Sequence, residues 1–319
     1  MAAVIKPGWS KPSTILFAAE IHTNEKAFGF ALAQAAEHRA NLIVFHAYDR
    51  VDLDSLVASG SRHNDYIQAR GEKHLLEPLA QRAAKIGIHC NVVVRQGLAA
   101  DRILAFLCER KVDWVVMGAH SPGPIGKLLV GSVAEAVLRS AVVPVCIVGP
   151  NAVESTWRYP VARRILCDVS KPETSPVVAN LSAEVAVRGK ASLLLQKVIP
   201  PQERAEVLGD RTIDQVEAEL PALVPAQLQD KITVQARVAV GDPTEELLYQ
   251  GRARQANLIV LGAQGASRFA AITRAGSVYK VLAYANCPVM TLSPVLLAGC
   301  GVEQPAPHPR EVNYMAGVV

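Results

Sequence analysis

Two glycine-rich stretches hold the residues best suited to chemistry. In the first, Gly118, Gly123, Gly126 and Gly131 lead to Ser132 and a helix-forming run; in the second, Gly262, Gly265 and Gly276 lead to Ser277. Glycine lets backbone N–H groups close on phosphate oxygens, and a helix N-terminus adds free donors and a favourable dipole. Each stretch is therefore a candidate phosphate cradle. Ser132 also stands three residues before Glu135, the spacing of a capping box, which would explain the serine as a helix starter with no ligand. Both readings stay open. A Walker A loop is absent, because GxxxxGK[ST] around Gly126-Lys127 would need glycine at Ser121 and Ser or Thr at Leu128.

Other chemistries find less support. The eight histidines form no HxxxH or HExxH pattern and no Cys/His ligand cluster, so no metal site is expected. His22 and His120 fall in loops near Glu20, where a His–Glu pair could move protons, although water-facing loop residues are the favoured reading. There is no GxSxG elbow, and the six cysteines lack CxxC spacing and any setting that would lower a thiol pKa. No catalytic residue is assigned, and a dedicated hydrolase or transferase is not supported.

The bulk composition points the same way. The net charge of +4 comes from 33 basic and 29 acidic residues mixed along the chain, and aromatics make up 5%. That pattern disfavours nucleic acid as a partner. No apolar run approaches a membrane span, and Met1 to Pro12 lacks the apolar core of a signal peptide. A soluble cytoplasmic protein with reduced cysteines is expected.

The elements that must position these loops occur twice. Gly97 and Gly241, Gly118 and Gly262, and Pro144 and Pro288 each stand 144 residues apart, while Ile15-Leu16 pairs with Ile165-Leu166 at 150. Apolar runs predict strands over 14–19, 41–47, 89–95, 114–117 and 143–148, separated by amphipathic stretches at 24–38, 64–85, 99–110 and 132–140. The second copy repeats the order with strands over 164–169, 191–198, 232–240, 258–261 and 289–292. Between Glu203 and Gln229, Pro221 and Pro225 should break any helix. The alternation implies right-handed βαβ crossovers and parallel sheets covered by helices on both faces.

The expected organisation is a 1–12 extension, domains over 13–149 and 163–297, a 150–162 linker, and an extended or mobile tail over 298–319. Ligands of such sheets bind beyond the carboxyl ends of the strands, which places the glycine loops at the crevice.

The loops, with a G-x2-G-x9-G-[ST] pattern before the last helix, resemble the universal stress protein family in a tandem two-domain form. The residues that carry the resemblance are Gly131 to Leu138 leading to Val143-Pro144-Val145, together with Val240 to Pro243 and Asn257 to Gly265. It implies two Rossmann-like, adenine nucleotide hydrolase-like α/β domains, each with a five-stranded parallel sheet. It further implies a stress-response role and, in some members, binding of ATP or another adenine nucleotide, with magnesium if ATP.

The motif is incomplete in both copies. In the first, Ser121 replaces the second glycine and Glu20 stands where nucleotide-binding members carry Asp; in the second, ten residues precede Gly276 and Ser170 takes the Asp place. The resemblance assigns Glu20, Gly118, Ser121, Gly131, Ser132 and Val133 to a first candidate site, and Gly262, Gly265, Gly276 and Ser277 to a weaker second. Asp168 lies on the same face as Ser170 but a residue pair back along the strand, so it cannot simply substitute.

Three roles are carried forward: a nucleotide-sensitive regulator, a protein-interaction module that has lost the ligand, and a weak ATP hydrolase. Because members of the family commonly pair through the last strand, the resemblance implies that 143–148 and 289–292 pair into an internal pseudo-dimer, which would hide otherwise exposed backbone groups, and two chains could associate further.

Overall fold

Apolar runs and amphipathic runs alternate along the chain, and the elements follow them. The computed structural model describes residues 6–20, 25–48, 61–119, 130–158, 163–262 and 277–301, and for Pro7, 61–69 and Ser277 the backbone alone. The first half contains α1 (Pro7–Ser10), β1 (Thr14–Ala18), α2 (Glu25–His38), β2 (Asn41–Tyr48), α3 (Ser61–Ala84) and β3 (Cys90–Gln96). It continues with α4 (Ala99–Glu109), β4 (Trp114–Gly118), α5 (Ser132–Ser140), β5 (Val145–Val148) and α6 (Ser155–Arg158). The second half runs β6 (Arg164–Asp168), α7 (Ser175–Gly189), β7 (Ser192–Ile199), α8 (Arg204–Leu208), α9 (Ile213–Glu219), α10 (Ala226–Gln229) and β8 (Val234–Val240). It ends with α11 (Pro243–Ala253), β9 (Leu258–Gly262), α12 (Ser277–Tyr284), β10 (Val289–Leu292) and α13 (Pro294–Gly299).

Each half is a parallel five-stranded arrangement, and the two merge into one ten-stranded sheet of order β3-β2-β1-β4-β5-β10-β9-β6-β7-β8. The junction is antiparallel, with Val289 opposite Ile147, Met290 opposite Cys146 and Thr291 opposite Val145. The expected internal pseudo-dimer is thus formed by the last strand of each half, which hides two edges that would otherwise expose unpaired backbone.

The sheet is covered on both faces. On one lie α2, α3 and α7, whose Phe28, Leu76 and Val178 join Phe17 and Cys167 in a core. On the other lie α4, α5, α11 and α12, with Phe106, Val137, Leu247 and Val281 packed on Leu16 and Leu166. Both cores run through both halves. Close approach at the seam is visible at Gly149, where a Cβ would stand 2.6 Å from the Leu282 carbonyl oxygen.

Three expectations change. The 150–162 linker contains α6, whose Trp157 is buried and meets Phe30 edge-on with ring centroids 5.8 Å apart. The 1–12 extension contains α1, whose buried Trp9 accepts from the Trp114 indole N–H at 2.6 Å through its carbonyl. The tail begins inside α13, and residues 302–319 lie outside those described. As anticipated from the prolines, 203–229 is broken into short helices, with a 3-10 turn at Leu220–Leu223. No helix of the described residues is long and apolar enough to cross a membrane.

Candidate functional site

The carboxyl ends of β1, β2 and β4 open into a cavity of about 240 Å³. Ala18, Ala19 and Glu20 enter it from β1, Phe45 and His46 from β2, and Met117 and Gly118 from β4; Gly131, Ser132 and Val133 close it at the start of α5. Five of the six residues expected in the first site therefore meet at one cavity. The sixth, Ser121, lies outside the described residues, as do His22, His120 and Lys127.

The capping-box reading of Ser132 is overturned. Gly131 is the N-cap of α5, with φ −64° and ψ 158° and no side-chain cap; Ser132 is the first helical residue. Glu135 reaches Arg139 one turn further on, which takes away the carboxylate that a box requires. Ser132 is exposed at the cavity, and the first-turn N–H groups of α5 are left to whatever occupies it.

A second helix contributes in the same way. Ala99, which also lines the cavity, opens α4, and the N-cap Leu98 offers no side-chain acceptor. Two uncapped helix N-termini thus border one cavity, each with free donors and about half a unit of positive charge. That field suits phosphate oxygens. Glu20, exposed at the same cavity just past β1, suits hydroxyl or amino donors instead.

His46 escaped the sequence analysis because it sits inside an apolar strand and its neighbour is 26 residues away. The buried imidazole bonds the Ala19 carbonyl through Nδ1 at 2.8 Å. A carbonyl only accepts, so Nδ1 carries the hydrogen. Nε2 then faces Glu72 Oε2 at 3.9 Å, and both atoms are buried without a hydrogen-bond partner.

The second copy is built differently at the equivalent positions. In β-sheet register Ala18 stands opposite Phe45, whereas Asp168 stands opposite Gln196. Asp168 Oδ1 accepts from the backbone N–H and the hydroxyl of Ser170, at 3.0 and 2.5 Å, and the Ser170 hydroxyl oxygen accepts from Val198 N–H at 2.9 Å. Burial raises the Asp168 pKa above the usual carboxylate value, with the Ser170 bonds and nearby lysines opposing it. Burial lowers the Lys197 pKa, with Asp168 working against the shift. Gln196 is fully buried with neither end of its amide bonded.

The helix that corresponds to α4 is closed as well. Asp242 caps α11 by accepting from Glu245 N–H at 3.0 Å. The Asp242–Glu245 spacing is a helix-start signature legible in the sequence.

Gly262 has a packing reason of its own, since a Cβ there would lie 2.8 Å from the Thr174 hydroxyl. Gly265 and Gly276 lie outside the described residues, and Ser277 begins α12. The C-terminal turns of α5 and α12 match at an offset of 144, with Ala141 N–H bonded to Val137 and Ala285 N–H to Val281. At that offset Ser277 stands where the first copy has Val133, so the serine that opens α12 comes one position later than the serine that opens α5.

Comparison with known proteins agrees with this architecture. The model of the universal stress protein family matches residues 13–149 and again 162–293. A universal stress protein of Thermus aquaticus is 30% identical over 133 residues, covering 39% of this chain and 88% of that protein. One from Methanocaldococcus jannaschii is 28% identical over 120 residues, covering 37% of this chain and 70% of its own length. Among solved structures, a universal stress protein from Archaeoglobus fulgidus superposes with a TM-score of 0.67 at 19% identity, covering 89% of this chain and 97% of that one. With both halves matched by the family model and joined through one sheet, the chain belongs to the universal stress protein family as a tandem of two domains.

Proposed function

We propose that this chain is a cytoplasmic stress-response protein that binds one adenine nucleotide, in its first domain, and acts as a regulator rather than as an enzyme. The observation that carries this reading is the convergence of two uncapped helix N-termini, α4 and α5, on the cavity that also holds Glu20. Phosphates would take the N–H groups of α5 and the Ser132 hydroxyl, while Glu20 would meet the ribose or base. Magnesium would arrive with the phosphates of ATP.

The second domain serves as the structural partner in this reading. Its α11 is capped from within by Asp242, and Asp168 and Ser170 satisfy one another. The protein-interaction role fits that half.

The test is denaturing extraction of freshly purified protein followed by nucleotide chromatography, with calorimetric titration of ATP into the stripped chain. About one nucleotide per chain, lost in Gly131→Val, supports the reading. Gly131 has extended backbone angles open to any residue, so valine there does not strain the turn. Two nucleotides per chain would contradict the closed second domain, and none, with no thermal shift on ATP, would leave the interaction role. Release of ADP on long incubation with ATP and magnesium would contradict the non-enzymatic role.

A further inference from the structure

A cavity of about 630 Å³ lies at the other end of β1 from Glu20, at the seam between the two domains. It is walled by Lys11 and Ser13 ahead of β1, by Glu37, His38 and Arg39 at the end of α2, and by Arg188 at the end of α7. Glu37 is engaged across the seam by Arg163. Among the described residues no carboxylate pairs with Lys11, Arg39 or Arg188. Arg188 spends one donor, Nε, on the Ser10 hydroxyl at 3.3 Å.

Cations near helix C-termini also neutralise the helix dipole, and magnitudes decide how far that explains them. Two helix ends carry about half a negative unit each, roughly one in total. Three cations without a carboxylate partner among the described residues exceed it by about two units, of which the Asp113 carboxylate, accepting from the Ser13 N–H and hydroxyl, offsets about one. The surplus is felt by His38: burial lowers its pKa most, Glu37 opposes the shift, and Arg163, Arg188 and Lys11 add to it. Arg39 is also held with φ 54°, a left-handed conformation that disfavours a side-chain-bearing residue. Glycine is the usual residue there.

We propose that this seam cavity binds a diphosphate-type anion, gripped by the guanidinium groups of Arg39 and Arg188 with Lys11 completing the charge. Planar guanidinium forks match phosphate oxygens in pairs, and a diphosphate presents one set of oxygens to each fork. Such an anion would bridge the N-terminal segment and α2 of the first domain to α7 of the second.

The experiment is a thermal-shift and calorimetric titration of inorganic pyrophosphate into the full chain, at ionic strength held constant with sodium chloride. Native protein should show a saturable rise in Tm. The Lys11→Gln/Arg39→Gly chain should bind at least tenfold more weakly and still fold, because glycine suits the backbone at position 39. The Gly131→Val chain should respond like the native one. ADP titrated into Gly131→Val separates the sources: binding there supports a diphosphate carried on a nucleoside, and binding of pyrophosphate alone supports the free anion. The proposal is overturned by no response in the native chain or by a full response in Lys11→Gln/Arg39→Gly. It is equally overturned if Gly131→Val alone abolishes binding, which would move the anion to the other cavity.

Discussion

The buried hydroxyl of Tyr279, on α12 of the second domain, donates to the carbonyl of Val130 at 3.0 Å, one residue before the Gly131 turn of the first domain. The candidate phosphate-binding turn is therefore held from the other half of the molecule. Replacing Tyr279 with Phe keeps the ring packing and removes one buried hydrogen bond, worth about 1 kcal/mol. Nucleotide affinity should fall roughly fivefold while far-ultraviolet circular dichroism stays unchanged. Calorimetric titration of ATP into Tyr279→Phe checks this; undiminished affinity would show that the turn holds its shape unaided.

Asp168 gives a prediction with a definite sign. Burial raises its pKa in the folded state, so its stabilising contribution is complete below the unfolded value and is lost as pH rises through the folded one. An asparagine in its place would mimic the protonated acid and still accept from Ser170. Asp168→Asn should melt at a higher temperature than wild type at neutral pH and at the same temperature in acid well below the normal carboxylate range. Melts at both pH values read the difference, and a lower neutral Tm for the variant would contradict the sign.

His46 Nε2 and Glu72 Oε2 face each other without a hydrogen-bond partner, and a side chain able to donate from position 72 can bond the ring nitrogen. In Glu72→Gln the amide N–H can donate to Nε2 while Nδ1 keeps the Ala19 carbonyl. A gain of about 1 kcal/mol, on the order of 2 °C in Tm, is expected at neutral pH. A fall in Tm would mean instead that the two groups share a proton which glutamine cannot supply.

Thiol chemistry should separate surface from interior. Cys108 is exposed, whereas Cys146, Cys167 and Cys287 are buried. Burial pushes the Cys167 and Cys287 thiols up to about 12 and Cys90 up to about 11. A maleimide at neutral pH should label Cys108 in the native protein and reach the three buried cysteines only after denaturation, as read by peptide mass spectrometry. Native labelling of Cys287 would indicate opening next to β10.

Strand positions were readable because strands buried on both faces appear as continuous apolar runs, and β10 begins and ends at the expected residues, Val289 and Leu292. The seam pairing was implied by the family resemblance, whose members commonly pair through the last strand, and edge burial gives its physical reason. Other features depend on partners far along the chain. The four residues of α6 are too few for periodicity, and Trp157 is buried only because Phe30 arrives from α2. Ser132 and Glu135 have the spacing of a capping box, but Arg139 one turn later claims the carboxylate. His46 lies in an apolar strand, and nothing nearby in sequence indicates that Glu72 comes to face it.

The antiparallel junction of β5 with β10 has a genetic consequence. In a symmetric dimer of separate chains every substitution appears twice, once on each side of the axis, so both sites must change together. Here the two sides are encoded separately. A cap such as Asp242 can arise beside one crevice while the other stays open, and Tyr279 can be selected for what it does to its neighbour alone. Fusion turns a self-complementary contact into one whose halves are free to specialise.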